Sequence, residues 1–140
     1  MDKVLIDTDV LLDFFFDRKP FADYSAGVLN LCAEKEIKGY TTPVIISNVY
    51  YLLRKTAKHI IIVEKLKLLL NIIDIVKMDK NAVLNALSSE FKDFEDALQN
   101  FSAIESGQVK IILTRNLKDF KKSELAILTP ETYLKGKASG

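Results

Sequence analysis

The stretch that most constrains the fold is the uncharged run Val4-Leu5-Ile6, which is followed at once by Asp7. Three aliphatic residues in a row, without polar alternation, are typical of a central parallel strand that is buried on both faces. Open sheets of parallel strands bind their ligands in the crevice beyond the carboxyl ends of the strands. We therefore expect Asp7 to lie in such a crevice. The residues alone leave a second interpretation equally open, in which Asp7 and Asp9 only cap the following helix.

Strand-like and helix-like segments alternate along the rest of the chain. Further short strands are predicted at residues 39–42, 72–76, 110–114 and 126–128. Helix-like segments separate the first four strands and a loop precedes the fifth, which calls for a mostly parallel sheet covered by helices. The sequence therefore predicts an α/β fold, a three-layer α/β/α sandwich with a central, mostly parallel sheet of about five strands.

Length and composition are those of one globular domain. The chain has 140 residues, of which 49% are apolar and 28% charged. This length suffices for a single core. We expect one domain at residues 1–135 and a flexible C-terminal tail at residues 136–140, because the tail is short and rich in Gly, Ser and Lys.

Charge and cysteine content restrict the classes of partner and compartment. The net charge of +1 gives no global electrostatic reason to bind nucleic acid, so a polyanionic partner would need local basic patches or a metal ion. The single cysteine, Cys32, excludes an intramolecular disulfide and fits a reducing cytoplasm, where we expect the protein to act. The most apolar stretch, residues 60–76, is interrupted by charged residues, so we expect no membrane span.

Two further acidic segments are expected to approach Asp7 in such a sheet. In the first, a predicted long helix opens with Asp93, Glu95 and Asp96. The helix dipole favours acids in the first turn by about 0.3–1 kcal/mol, which explains Asp93 and Glu95 but not the position of Asp96 beside the apolar stripe. In the second, residues 114–120 again place polar side chains directly after a buried strand. That arrangement repeats the position of Asp7.

The order of these motifs resembles the PIN domain family of metal-dependent ribonucleases. The shared features are an Asp that closes the first strand, Asp-Phe-Glu-Asp-Ala-Leu-Gln at residues 93–99, and Thr-Arg-Asn-Leu-Lys-Asp-Phe at residues 114–120. The resemblance covers nearly the whole chain and is greatest to one bacterial branch of the family. It implies an endoribonuclease that uses Mg²⁺ or Mn²⁺ to hydrolyse RNA. Because some members are toxins of toxin–antitoxin pairs, it also implies an antitoxin protein as a partner.

Carried over to this sequence, the resemblance implies that Asp7, Asp96 and Asp119 bind the divalent metal. Asn116 stands where many members have Asp, and Asn48 stands where the family commonly has Glu; both are expected to belong to the catalytic site. An amide oxygen can ligate a hard cation, but it adds no charge and cannot accept a proton from the attacking water. We therefore expect weaker magnesium binding than in a typical member, or a single well-occupied metal.

Other polar side chains near these positions are candidates for supporting roles. The candidates for orienting the acids through hydrogen bonds are Thr8, Thr114 and Asp93. The candidates for binding the phosphates of RNA are Arg115, Lys118, Arg54 and Lys55. For any single cation among them, a solvated loop or helix end is the simpler interpretation.

Two other functions stay open. The first is a catalytically weak PIN-like module that binds RNA or protein without cutting, which Asn48 and Asn116 favour. The second follows from a resemblance of Asp7-Thr8-Asp9 to the Asp-x-Asp opening of haloacid dehalogenase phosphatases, although Val10-Leu11 replaces the usual Gly-Thr. A homodimer formed through exposed apolar helices is a further expectation.

Overall fold

The computed structural model describes residues 1–139, which form three layers around one parallel sheet. Among these residues the sheet has five strands, paired in parallel in the order β3-β2-β1-β4-β5. The predicted α/β/α sandwich is confirmed, and the sheet is parallel throughout. The strands are β1 (Lys3–Ile6), β2 (Lys38–Thr41), β3 (Ile73–Ile75), β4 (Ile111–Leu113) and β5 (Ala126–Leu128).

Seven α-helices and one 3₁₀ turn connect and cover the strands within residues 1–139. None of these helices is long and apolar enough to cross a membrane. The last helix includes residues 136–139 of the predicted tail, and Gly140 lies outside the described residues. The helices are α1 (Thr8–Phe15), α2 (Phe21–Ala33), α3 (Pro43–Leu53), α4 (His59–Leu70), α5 (Lys80–Leu87), α6 (Phe94–Ser106) and α7 (Pro130–Ser139), and the 3₁₀ turn is Leu117–Phe120.

Local sequence explains where the helices that border the site begin and end. Helix α3 starts at Pro43, whose missing N–H costs nothing in the first turn, and Thr42 caps it by accepting a hydrogen bond from the Ile45 N–H at 3.1 Å. Helix α6 ends at Gly107, which has a φ of 69°. Glycine adopts this left-handed conformation without steric cost, so the chain can turn back toward β4.

The side chains of β1 divide the core into two parts. Val4 and Ile6 pack on one face of the sheet with α1, α2, α3, α4 and α7. Leu5 packs on the other face with α6 and Phe120. The side chains of Val4, Leu5 and Ile6 are completely buried, because successive residues of a strand point to opposite faces and both faces are covered. The uninterrupted apolar run is thus the signature of the central strand.

Candidate active site

The carboxyl ends of β1 and β4 open into a hollow of about 470 Å³. Because β1 and β4 are neighbours in the sheet, the residues that follow them, Asp7 and Thr114, lie side by side. Residues of α1, α3, α6 and the 3₁₀ turn complete the wall. The residues that line the hollow are Asp7, Thr8, Asp9, Leu12, Arg18, Asn48, Tyr51, Leu52, Asp93, Glu95, Asp96, Gln99, Asn116 and Asp119.

Asp7 is held at the base of the hollow by hydrogen bonds to both carboxylate oxygens. Its Oδ1 accepts from the Thr8 N–H at 2.7 Å, and its Oδ2 accepts from the Thr114 hydroxyl at 2.8 Å. The side chain therefore caps α1 and also faces the hollow, so both sequence interpretations hold at once. Burial raises the pKa of the Asp7 carboxyl, and hydrogen bonds from Thr114, Thr8 and Gln99 offset only part of that rise.

Asp96 reaches the hollow from the first turn of α6. Asp93 is the N-cap of this helix, and its Oδ1 accepts a hydrogen bond from the Asp96 N–H at 3.0 Å. Burial, followed by the negative charges of Asp7, Asp93, Asp119 and Glu95, raises the pKa of Asp96 to about 7. A carboxyl with a pKa this high marks a place where negative charges converge without a compensating cation.

The loop after β4 brings Asn116 and Asp119 to the exposed rim of the hollow. The Asn116 side-chain amide donates a hydrogen bond to Oδ2 of Asp119. The Asn116 backbone N–H donates to the Thr114 hydroxyl at 3.0 Å, and that hydroxyl donates in turn to Asp7. A continuous set of hydrogen bonds therefore connects the rim to the base.

Asn48 lies on α3, half-buried, and faces the opening turn of α6. Its Nδ2 donates a hydrogen bond to Oε2 of Glu95 at 2.9 Å. The sequence predicted Asn48 as a site residue, and it does line the hollow. Glu95 was interpreted from the sequence only as an acid at the start of a helix, yet Glu95 lines the same hollow.

Arg115 lies outside the lining of the hollow and binds a buried acid instead. Its Nε and Nη2 donate to the two carboxylate oxygens of Asp13 at 2.6 and 2.9 Å. The guanidinium also stacks over the ring of Phe21 at 3.9 Å from the centroid. Asp13 is only 1% exposed, and Arg18 lies 3.5 Å from it as a second cation. The geometry thus assigns Arg115 a structural contact, whereas the sequence predicted a phosphate contact.

The other three predicted phosphate contacts also lie outside the lining of the hollow. Lys118 lines a neighbouring depression, which shares Asp93 and Asp119 with the hollow. Arg54 donates to the carbonyl of Ala57 at 3.0 Å, and Lys55 is exposed at the end of α3. An interaction of these side chains with RNA stays a prediction.

Three residues with carboxylate or amide side chains at the hollow were not predicted as site residues from the sequence, namely Asp9, Glu95 and Gln99. Asp9 accepts a hydrogen bond from the Arg115 N–H at 3.0 Å, and burial together with the charge of Asp7 raises its pKa to about 6. Glu95 and Gln99 are four residues apart, so they lie on the same side of α6. The signal available in the sequence was the position of Gln99, a polar residue one helical turn after the acid Glu95 and beside the apolar stripe.

The donor atoms in the hollow fit a hard divalent cation. Carboxylate, amide and hydroxyl oxygens are the ligands that Mg²⁺ and Mn²⁺ prefer. Three lining oxygens, Thr8 Oγ1, Asp9 Oδ1 and Gln99 Oε1, are buried and have no hydrogen-bond partner among the described residues. Within residues 1–139, no three acidic side chains are gathered closely enough to coordinate one ion directly.

Comparisons with known proteins agree with this fold. Residues 3–118 match the family model of the PIN domain. Ribonuclease VapC1 of Aquifex aeolicus (strain VF5) is 31% identical to this chain over 137 residues, which cover 94% of this chain and 93% of that protein.

Two solved structures have a similar fold. VapBC2 from Rickettsia felis, bound to a DNA fragment from its promoter, has a TM-score of 0.68 at 16% identity and covers 90% of this chain and 96% of its own. A toxin–antitoxin complex from Klebsiella pneumoniae has a TM-score of 0.67 at 19% identity and covers 91% and 97%. Because the family model spans most of the sequence and the relative covers nearly all of it, the chain belongs to the PIN domain family.

Proposed function

We propose that this chain is an endoribonuclease that uses Mg²⁺ or Mn²⁺ to hydrolyse phosphodiester bonds of RNA. The observation that carries the proposal is that Asp7, Asp96 and Asp119, from three distant parts of the chain, face one hollow. Clustered carboxylates repel one another, and a bound cation removes that repulsion. The name of the VapC1 relative, a ribonuclease, supports RNA as the substrate.

In this mechanism the residues of the chain hold and orient the reacting groups. When bound, the metal ion supplies polarisation of the phosphoryl oxygen and a lowered pKa of the attacking water. Asp7 would hold the ion, since Thr8 and Thr114 fix the direction of its carboxylate. Asp96 and Asp119 would bind it directly or through water. Above its pKa of about 7, Asp96 carries the charge that this role requires.

A second candidate function is a module that binds RNA or protein without cutting it. The observation that favours it is the presence of two amides, Asn48 and Asn116, on the wall of the hollow. Neither amide can accept a proton from water or contribute negative charge to the site.

Membership of the PIN family leaves the phosphatase alternative without support.

The proposed biological role is that of the toxin in a toxin–antitoxin pair. It is supported by two complexes with a similar fold, VapBC2 from Rickettsia felis and a toxin–antitoxin complex from Klebsiella pneumoniae. A homodimer stays a prediction. It is supported by large apolar side chains that are exposed on α4 and α5, namely Ile60, Leu68, Leu84 and Leu87.

Cleavage of single-stranded RNA in the presence of Mn²⁺ tests the proposal. We expect the wild type to cleave, EDTA to stop cleavage, and Asp7→Asn or Asp96→Asn to slow it by about 100-fold or more. Glu105→Gln, which changes an acid of α6 outside the hollow, is the control and should cleave at the wild-type rate. RNA that binds but stays intact at every Mn²⁺ concentration would favour the second candidate.

A further inference from the structure

We propose that Glu95 is a further carboxylate of the metal site and that Asn48 holds it there. This inference rests on the proposed function, because it adds a residue to the same hollow. It also assigns a role to Asn48, the predicted site residue on α3, which carries no negative charge. In this arrangement Glu95 on α6 supplies the negative charge, and the Asn48 amide on α3 orients the Glu95 carboxylate through a hydrogen bond.

The position of Glu95 is not explained by the start of α6 alone. Capping of this helix is already provided by Asp93, whose carboxylate accepts a hydrogen bond from the Asp96 N–H. Glu95 instead accepts a hydrogen bond from Asn48, a side chain 47 residues earlier in the chain and on another helix. An acid that served only the helix dipole would need no such contact. The hydrogen bond keeps the Glu95 carboxylate beside the hollow.

The charge of Glu95 is not neutralised by a neighbouring cation. Among residues 1–139, none of the ion pairs includes Glu95, and the hydrogen bond from Asn48 uses only its Oε2. Asn48 is a neutral amide, so it orients the carboxylate without cancelling its charge. Glu95, whose side chain is exposed at the rim, therefore brings a further carboxylate to a hollow that Asp7 and Asp96 also line.

An independent observation one turn further along α6 points to a ligand. Gln99 is 1% exposed and lines the hollow, and its Oε1 has no hydrogen-bond partner among the described residues. Buried polar atoms in native proteins almost always have a partner, so this oxygen calls for a water or a cation in the hollow. Glu95 and Gln99 are related by one helical turn and lie on the same side of α6. Together they present two oxygen donors to the same space.

A matched pair elsewhere on α6 separates a metal role from a purely structural one. Asn85 on α5 donates a hydrogen bond to Oε2 of Glu105 at 3.2 Å, so it joins two helices in the same way as Asn48 and Glu95. Glu105 does not line the hollow. Substitution by Gln keeps a side-chain oxygen that can accept the hydrogen bond but removes the charge. Glu95→Gln and Glu105→Gln thus differ chiefly in their distance from the proposed metal.

The test measures Mn²⁺ binding to the full metal-free chain by isothermal titration calorimetry. We expect Glu95→Gln to weaken Mn²⁺ affinity by about 10-fold or more, and Glu105→Gln to leave it unchanged. Both variants should keep the melting temperature of the metal-free wild type or exceed it. The exchanged pair Asn48→Glu with Glu95→Gln restores the charge from the α3 side, so we expect it to regain most of the lost affinity.

The outcomes distinguish this inference from the proposed function. If Glu95→Gln binds Mn²⁺ as tightly as the wild type while Asp7→Asn does not bind it, Glu95 only joins the two helices and the ribonuclease assignment stands. If the exchanged pair binds Mn²⁺ no more tightly than Glu95→Gln alone, the Mn²⁺ affinity does not depend on a negative charge at this place in the hollow. A wild-type chain that neither binds Mn²⁺ nor cleaves RNA overturns both proposals.

Discussion

The charge of Asp96 has opposite effects on two properties of the protein: it destabilises the metal-free chain, but it favours the binding of a cation. It is 9% exposed and lies among Asp7, Asp93 and Asp119, so burial and like charges raise its pKa to about 7. The same concentration of negative charge is what a divalent ion would neutralise. Sites of this kind commonly reduce the stability of the fold in favour of function.

Substitution Asp96→Asn should therefore separate stability from activity. Removing one charge relieves repulsion, and we expect the metal-free variant to be more stable than the wild type by about 1–2 kcal/mol near pH 8, because partial contact with water screens the full effect. Urea denaturation in EDTA measures this difference. RNA cleavage with Mn²⁺ should fall by about 100-fold or more in the same variant. A metal-free variant less stable than the wild type would contradict this account.

At the scale of secondary-structure elements, a buried ion pair fixes the loop after β4 to helix α1. Asp13 on α1 binds the guanidinium of Arg115 with two hydrogen bonds, and the Arg115 N–H binds Asp9 of the same helix. Because Asn116 and Asp119 follow on this loop, their place at the rim depends on the attachment of the loop to α1. The contact with Asp13 therefore positions the site without lining it.

Breaking this ion pair should be costly. Asp13→Ala leaves the Arg115 guanidinium without its carboxylate, and we expect the free energy of unfolding to fall by about 3 kcal/mol, the range found when one partner of a buried pair is removed. The control is Asp23→Ala, which removes an exposed ion pair with Lys19 at 3.4 Å and should cost less than about 0.5 kcal/mol. Chemical denaturation of both variants gives the comparison. Equal decreases in the free energy of unfolding in the two variants would show that the ion pair of Asp13 stabilises the fold no more than an exposed ion pair.

The packing of β2 against α2 and β3 requires a residue without a side chain at position 39. A Cβ added to Gly39 would lie 2.6 Å from Cys32 Sγ and 2.8 Å from Ile73 Cγ2, both too close. We expect Gly39→Ala to destabilise the fold by about 1–3 kcal/mol through overpacking. Adding Cys32→Ala removes the sulfur atom and should recover part of the loss in a double-mutant cycle. Strictly additive effects of the two substitutions would be inconsistent with this contact.

At the scale of the whole molecule, the acids of the hollow should make the stability of the metal-free chain depend on pH. Asp96 and Asp9 have pKa values of about 7 and about 6 in the folded state, above the ordinary value of 3.8, and Asp7 is shifted in the same direction. The folded chain therefore binds more protons than the unfolded chain between about pH 4 and about pH 7, so its stability decreases as the pH rises through this range.

Thermal unfolding in EDTA checks this dependence. We expect the melting temperature to fall by roughly 3–6 °C between about pH 5 and about pH 8, and the fall to be smaller in Asp96→Asn. Saturating Mn²⁺ near pH 8 should raise the melting temperature again, because a ligand that binds only the folded state stabilises it. A melting temperature that rises with pH in the metal-free wild type would refute the assignment of raised pKa values.

The sheet and the place of Asp7 could be predicted from local patterns in the sequence, whereas Asp96 and Asp119 were assigned to the site by the resemblance to the PIN family. The uncharged run before Asp7 identifies a strand buried on both faces, and parallel strands bring the residues after them to one edge of the sheet. The partners of Glu95 and Arg115 could not be predicted in this way. Their side chains bind Asn48 and Asp13, which are 47 and 102 residues away, and nothing in the local pattern distinguishes such contacts from solvation.

The central place of β1 in the sheet has a consequence for how the protein is made. One edge of β1 pairs with β2, the next strand in the chain, but the other edge pairs with β4, which is synthesised much later. Asp7 is thus synthesised early, whereas Asp96 and Asp119 emerge late. A nascent chain that stops before residue 119 lacks part of the acid set, so the hollow is complete only after the loop that follows β4 has been synthesised.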